Sequence, residues 1–243
     1  MSHITKKRIL LYALGLIILA AGLTLNTKAD LGVSPIVSVS YCIFQLSGIN
    51  FGDATFFWYC ILVLMQIVIH IFVIIKEHRH NKEDILSSQS LRQKLAAKII
   101  PDLLQILVSL IFTRIVNFFS AVLPDFGAGS PMKLRLLVLA AAVIFTGVGA
   151  VLSVDMRIIP NPGDGIVQTI SDVSSLPIGT AKNLFDVFCV MTTLIISLLF
   201  GGRIIGIGIG TVIAALGVGR VMAAFNKITG LDHQIDDPTS LGI

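Results

Sequence analysis

The chain has 243 residues, of which 55% are apolar and only 13% charged, against about 25% charged in an ordinary soluble domain. With a mean hydropathy of +0.91, it reads as an integral membrane protein. The net charge of +4 is modest, and no aromatics or known motif interleave the basic residues, so nothing points to a nucleic-acid partner.

A spanning helix needs about 20 mostly apolar residues. Ile9 to Asn26 meets that after Lys6-Lys7-Arg8, and with no small-residue cleavage site it reads as an uncleaved first helix. Thr27 to Asp30 is a polar break. Pro35 to Leu46 is apolar but only 12 residues long, about 18 Å as a helix and too short to cross comfortably. Asp53 to Ile75 spans. Lys76 to Lys98 reads as a basic polar loop, and Ile99 to Leu123 spans, with Pro101 in its first turn. After the turn-rich stretch 124–131, Leu134 to Val154 spans. A second short element, Pro162 to Val173, carries Asp164, Gln168, Thr169 and Asp172. Ala181 to Phe200 spans, Gly201-Gly202-Arg203 turns, Ile204 to Phe225 spans, and a polar tail follows.

The chain repeats itself. Shifted by 127 positions, Ala13 to Val63 aligns without a gap. Pro35 falls on Pro162, Gly22 on Gly149, Gly52 on Gly179 and Ala54 on Ala181. The Gly and Pro matches sit at breaks and carry the weight of the comparison. Ser34 and Asn161 are N-cap residue types, each followed by Pro at the first helical position. Asp53 and Thr180 are capping types at equivalent places, which makes Gly52 and Gly179 backbone hinges. Arg114 in the third span matches Arg220 in the last at a looser offset.

The positive-inside rule places both termini and loop 76–98 in the cytoplasm if the short elements do not cross. Each repeat then has three crossings, and the halves insert in opposite orientations. The expected architecture is all-α: six transmembrane helices plus two short re-entrant or interfacial helices, arranged as two inverted repeats, 1–123 and 124–243. Such repeats with interrupted helices recur in transporters and channels.

Irregular backbone at membrane depth must be buried in protein or line a wet cavity. The two Pro-led starts satisfy that if they dip inward and meet, and their free N–H groups would then favour an anion or a carbonyl-bearing solute. The other arrangement has them lying flat at the interface. The candidate binding residues are Ser34, Pro35, Asn161, Pro162, Asp164, Arg114 and Asp186. Each charged one has a structural alternative. Asp164 also suits a helix start, Asp186 can pair with Lys182 one turn earlier, and Arg114 can reach out to the interface. Gln66 and His70 share one face of the second span, suited to an interhelical hydrogen bond or to carrying protons. The glycines at 206, 208, 210, 217 and 219 read first as close helix packing in lipid. Cys42, Cys60 and Cys189 read as buried apolar thiols. No catalytic constellation, metal-ligand set or cofactor motif is present, so an enzyme is not expected. The partners expected are the lipid bilayer and a small polar or anionic solute, with room for a homo-oligomer.

Leu31-Gly32-Val33-Ser34-Pro35, Ile178-Gly179-Thr180-Ala181 and Gly208-Ile209-Gly210-Thr211 resemble the YczE/YitT-like bacterial integral membrane proteins. The resemblance covers nearly the whole chain. It implies the bacterial plasma membrane and no particular substrate. The leading functional reading is a transporter or channel-like facilitator. The alternative is a non-transporting scaffold supporting an exporter, synthase or sensor.

Overall fold

A computed structural model describes residues 6–80, 88–127 and 129–229. Eight helices account for nearly all of them: α1 (Lys6–Lys28), α2 (Pro35–Ser47), α3 (Phe51–His80), α4 (Ser88–Val122), α5 (Met132–Val154), α6 (Pro162–Ser174), α7 (Ile178–Gly201) and α8 (Ile209–Thr229). No strand occurs among the described residues. All but α2 and α6 are long and apolar enough to cross a membrane. Their outward faces carry Phe57, Leu64, Val68, Phe72, Leu107 and Ile111, whereas Gln66, Ser109, Thr113, Thr193 and Ser197 are buried. Apolar outside and polar inside is the arrangement lipid imposes, because a polar group facing hydrocarbon finds no partner. The inward hydroxyls bond locally, as Thr193 does to the Cys189 carbonyl at 2.8 Å and Ser197 to that of Thr193 at 2.7 Å.

The packing is organised by exchange of the two halves. Helix α1 lies along α5 through glycines. A Cβ on Gly22 would sit 2.5 Å from the Thr146 nitrogen, and one on Gly149 would run into the Leu19 backbone. Adding 127 to 22 and 19 gives 149 and 146, so the two contacts swap. The same swap turns α2–α7 into α6–α3, α1–α4 into α5–α8, and α2–α3 into α6–α7, and all of these pairs are in contact. It takes Ser38, bonded to Thr193 at 2.7 Å, onto Gly165, which lies against Gln66. One pair breaks the pattern: α3 packs extensively on α4, while α7 barely touches α8.

Helix α2 returns toward the end of the bundle from which it came. Asp30 before it and Gln45 near its end line one cavity. Its partner α6 behaves likewise at the other end, where Asp172 faces Lys98 at 4.0 Å. Both short helices thus start inside the bundle and end near the side from which the chain entered them. The chain entering α6 is held by Arg8 donating to the Met156 carbonyl and by Tyr12 donating to that of Ile159 at 2.7 Å.

Several boundaries depart from the sequence reading. Stretch 76–98 is not a loop throughout: α3 continues to His80 and α4 begins at Ser88, leaving 81–87 outside the described residues. Pro101 lies inside α4 rather than in its first turn. Its missing N–H removes one ladder bond, a loss that neighbouring polar groups can offset in membrane helices. Helix α8 starts at Ile209, not Ile204, because Gly206 takes a φ of 74° and the preceding segment leaves the helix. That segment pairs with the break after α1. Val33 N–H donates to the Gly206 carbonyl at 2.8 Å, and Gly210 N–H to that of Leu31 at 2.7 Å. Gly32, at φ 104°, leaves no room for a Cβ, which would lie 2.5 Å from the Gly208 nitrogen. The glycines at 206 and 208 therefore serve close approach between two loops, not between two helices. Gly52 and Gly179 are not hinges; both lie within the first turn of a helix. Gly52 is a packing residue, its N–H donating to Asn117 Oδ1 at 2.8 Å. A Cβ on Gly179 would meet open space. Of the thiols, Cys42 and Cys189 are buried and Cys60 is partly so. The polar tail beyond Thr229 lies outside the described residues.

Candidate functional site

The two Pro-led starts meet. Pro35 and Pro162 open α2 and α6, and both are buried. A Cβ on Gly163 would lie 2.8 Å from Ile36 Cγ2. Since 36 plus 127 is 163, a residue touches its own counterpart across the two halves. Ser34 and Asn161 occupy the N-cap positions, yet neither side chain makes a capping hydrogen bond. Instead Asn26 Oδ1 accepts the Ser34 N–H at 2.7 Å, and Trp58 donates to the Ile36 carbonyl at 3.0 Å. These bonds fix the start of α2 and leave both cap side chains facing a shared space.

That space is a cavity of about 50 Å³ between the two helix starts, room for a water or a very small solute. Its lining falls into counterpart pairs: Leu19 with Thr146, Leu23 with Ala150, Ser34 with Asn161, Ile36 with Gly163, and Val37 with Asp164. Tyr59 and Lys182 also line it. The second half supplies most of the polarity. Asn161 is 3% exposed, and its Oδ1 has no hydrogen-bond partner among the described residues. The Asp164 carboxyl lies in the first turn of α6 and lines the cavity with Lys182. Lys182 Nζ donates to Asp186 Oδ2 at 2.6 Å, while Asp186 Oδ1 is buried without a partner among the described residues. The unpartnered atoms are an amide oxygen and half of a second carboxylate nearby, beside the Asp164 carboxylate on a helix start and two donor side chains, Lys182 and Tyr59, the latter hydrogen-bonded to the Asn161 side chain.

Of the candidate residues named from sequence, Ser34, Asn161 and Asp164 line this cavity, and Pro35 and Pro162 set the helix starts. Asp186 makes the ion pair with Lys182 one turn earlier. Arg114 lies elsewhere. It pairs with Asp53 at 2.9 Å near the start of α3, with its side chain 57% exposed, and does not line the cavity. Sequence reasoning did not single out Tyr59 or Thr146. The 127-residue shift places them opposite Asp186 and Leu19, and this was the signal available.

A polar network that the sequence showed only in part lies beside the cavity. His70 Nδ1 and Asp102 Oδ2 are 2.7 Å apart. Gln66 and Gln105 pair amide to amide, at 3.2 and 3.1 Å. All four side chains are buried. Gln66 and His70 were visible on one face, whereas Asp102 and Gln105 were missed. Their spacing of three within α4, facing the same way, was the available signal.

Two larger cavities flank the centre. One of about 470 Å³ is lined by residues 30–33, Tyr41, Gln45 and 203–208. The other, of about 460 Å³, is lined by His70, Val73, Ile74, Lys94, Ala97, Lys98, Asp172 and Val173. The first lies near Phe51, whose ring packs on Tyr41. The second surrounds His70, about 28 Å further along α3 by helical rise. Gln45 and Asp172 are counterparts, 127 apart, and each lines one of the two cavities.

No curated protein and no solved structure matches the chain. The resemblance to YczE/YitT-like proteins therefore rests on its motifs alone. A family model described as a family of unknown function (DUF6198) matches residues 6–80 and 85–227, and the chain belongs to that family.

Proposed function

We propose that the protein is a transporter or channel-like facilitator for a small polar solute, built of two inverted repeats in a bacterial plasma membrane with both termini in the cytoplasm. The observation that carries this reading is the meeting of the two short-helix starts on one polar cavity, with Asn161 Oδ1 buried and unpartnered inside it. A buried acceptor without a donor costs about 1–3 kcal/mol. A chain tolerates that where a ligand or water supplies the donor. The unpartnered atoms are acceptors, which suits a solute carrying N–H or O–H donors, while Lys182 and Tyr59 in the same lining can donate to it. Ser34 and the first free N–H groups of α2 and α6 can take an acceptor of the same solute. In this reading the solute would enter and leave through the cavities at the two ends, exposed alternately as in inverted-repeat transporters.

The small volume of the central cavity and the internal Lys182–Asp186 pair favour the second reading, a scaffold without a pathway. Thermal-shift screening of the purified protein against small amides, polyols, amino acids and anions separates the two. The transporter reading expects a donor-bearing solute to stabilise the wild type. Losing one hydrogen bond of about 0.5–1.5 kcal/mol should weaken that solute roughly twofold to tenfold in Asn161→Ala and Asp164→Asn. A response unchanged in both variants would place the site elsewhere, and no hit in a broad screen would favour the scaffold.

A further inference from the structure

The His70–Asp102 pair is left unused by the solute site. It lies in the packing of α3, α4 and α6, with His70 9% and Asp102 3% exposed. His70 nevertheless lines the 460 Å³ cavity at one end of the bundle, together with Lys94, Lys98 and Asp172. The charged groups facing it are Asp102, Lys94 and Lys98 from α4 and Asp172 from α6. Helix α2, which also packs on α3, carries no charged residue. The polar neighbour from α6 is Thr169, whose Oγ1 is 3.5 Å from His70 Nε2.

The pair is tied to the central cavity. Gln105 Nε2 approaches Asp102 Oδ1 at 3.5 Å, Gln105 and Gln66 exchange hydrogen bonds, and Gln66 Nε2 approaches the Pro162 carbonyl at 3.5 Å. The amides press on α6 so closely that a Cβ on Gly165 would lie 2.7 Å from Gln105 Oε1 and 2.8 Å from Gln66 Oε1. Pro162 and Gly165 belong to the helix start that carries Asn161, Gly163 and Asp164.

We infer that the His70–Asp102 pair is a proton-binding site, loaded from the cavity between α3, α4 and α6, whose charge state sets the position of the α6 start at the central cavity. In the loaded form both ring nitrogens carry hydrogen. Nδ1–H donates to Asp102, and Nε2–H donates to Thr169 Oγ1. When the proton leaves Nε2 for water, that nitrogen becomes an acceptor and the Thr169 hydroxyl must turn to donate to it. The pair changes from a net-neutral ion pair to a single carboxylate charge in a poorly solvated place. The Gln66 and Gln105 amides pass no proton. They transmit the shift in geometry, so the proton enters and leaves by the same cavity. Calling this a coupling site for solute rests on the proposed function; the proton site and its link to α6 do not.

The chain supplies its own reporter. Trp58 is its single tryptophan, and its indole bonds the Ile36 carbonyl, opposite Gly163. Purified full-length protein in lipid nanodiscs, with ¹⁵N-labelled histidine, is titrated from about pH 5 to 8.5, across the range where imidazoles exchange protons. The His70 ring signal, assigned by its loss in His70→Gln, should change protonation state. Trp58 emission should follow with the same midpoint. That emission change should persist in Asp164→Asn and vanish in His70→Gln. In Gln105→Leu the ring should still titrate while the Trp58 response falls at least threefold. A His70 ring that keeps one protonation state throughout overturns the site. A Trp58 response that survives intact in His70→Gln, or in Gln105→Leu if the former does not fold, overturns the link. No solute is used, so a failed solute screen leaves this test standing, and failure here leaves the central cavity to be judged on its own assay.

Discussion

The α1–α5 seam gives a stability prediction whose size follows from distances. A Cβ added to Gly22 would lie 2.5 Å from the Thr146 nitrogen and 2.9 Å from the Phe145 carbonyl carbon. Ordinary contact begins near 3.4 Å, so the shortfall is 3.4 − 2.9 = 0.5 Å to 3.4 − 2.5 = 0.9 Å, against backbone that has no rotamer to yield. The helices must part by about that much. A gap of 0.5–1 Å forfeits a quarter to a half of each contact along the seam, and overpacking of this kind costs about 1–3 kcal/mol. Gly22→Ala gains back at most about 1 kcal/mol of helix propensity. Gly219 in α8 has nothing within 4 Å of its added Cβ, so Gly219→Ala should show only the gain. The propensity gain is common to both variants, so they should differ by the overpacking cost of about 1–3 kcal/mol in unfolding by SDS from mixed micelles, followed by helical circular dichroism. Gly149→Ala, the exchanged position, should resemble Gly22→Ala. The double variant should cost less than the sum, because the first Cβ already parts the helices. Equal stability of Gly22→Ala and Gly219→Ala would refute the packing argument. Additive losses in the double variant would refute the shared seam.

Two further outcomes are expected. In a background lacking Cys42, Cys60 and Cys189, single cysteines at Ser88 and Ser130 should label oppositely with an impermeant thiol reagent in intact cells, Ser130 reacting and Ser88 not; equal labelling would sink the inverted arrangement. Arg114→Ala should leave solute stabilisation unchanged and cost under about 1 kcal/mol, the scale of an exposed ion pair, because its partner Asp53 is also partly exposed, at 38%; a marked loss of solute response would return Arg114 to the site.

How much of this was legible in the sequence depended on whether a residue type has one physical use or several. Pro35 and Pro162 have one use at an interrupted span, as the first residue of a helix, and the two short helices begin at those residues. Gly22 and Gly149 matched across the shift because backbone lies against both. Polarity misled where it had two uses. Lys76 to Lys98 reads as a loop by charge, yet helices extend into it, since charged residues form good helices once past the lipid. Gly206 and Gly208 read as helix packing because small residues suit that in lipid, but a φ of 74° at Gly206 serves a loop instead. Arg114 and Asp186 are costly in a span only if unpaired, and each has a local partner, Asp53 and Lys182. Asp102 escaped notice because it follows Pro101, where an acid looks like an interfacial helix start. Its partner His70 lies 32 residues away in the chain, a distance no local pattern reports.

The exchange of contacts between the halves also bears on why the central cavity draws most of its polarity from one half, with Ser34 and Tyr59 the polar exceptions in the other. Two halves built alike would have equivalent linings. Around the cavity, the first half presents Leu19, Leu23, Ile36 and Val37, and the second presents Thr146, Ala150, Gly163 and Asp164 at the same places. Packing alone does not ask for that difference. Counterparts in two such halves meet equivalent neighbours, and an apolar residue fills a buried corner at lower cost than an acid. Asp164 could be explained as dipole compensation at the start of α6, but α2 starts just as well with Val37 at the equivalent position. Nor does capping explain Asn161, since its side chain makes no capping bond and its oxygen has no partner among the described residues. Asn161 and Asp164 lie on one rim of one cavity, on the helix that the His70–Asp102 network touches from behind. That placement accounts for the difference if the second half contributes the binding groups and the first half the wall against which they work.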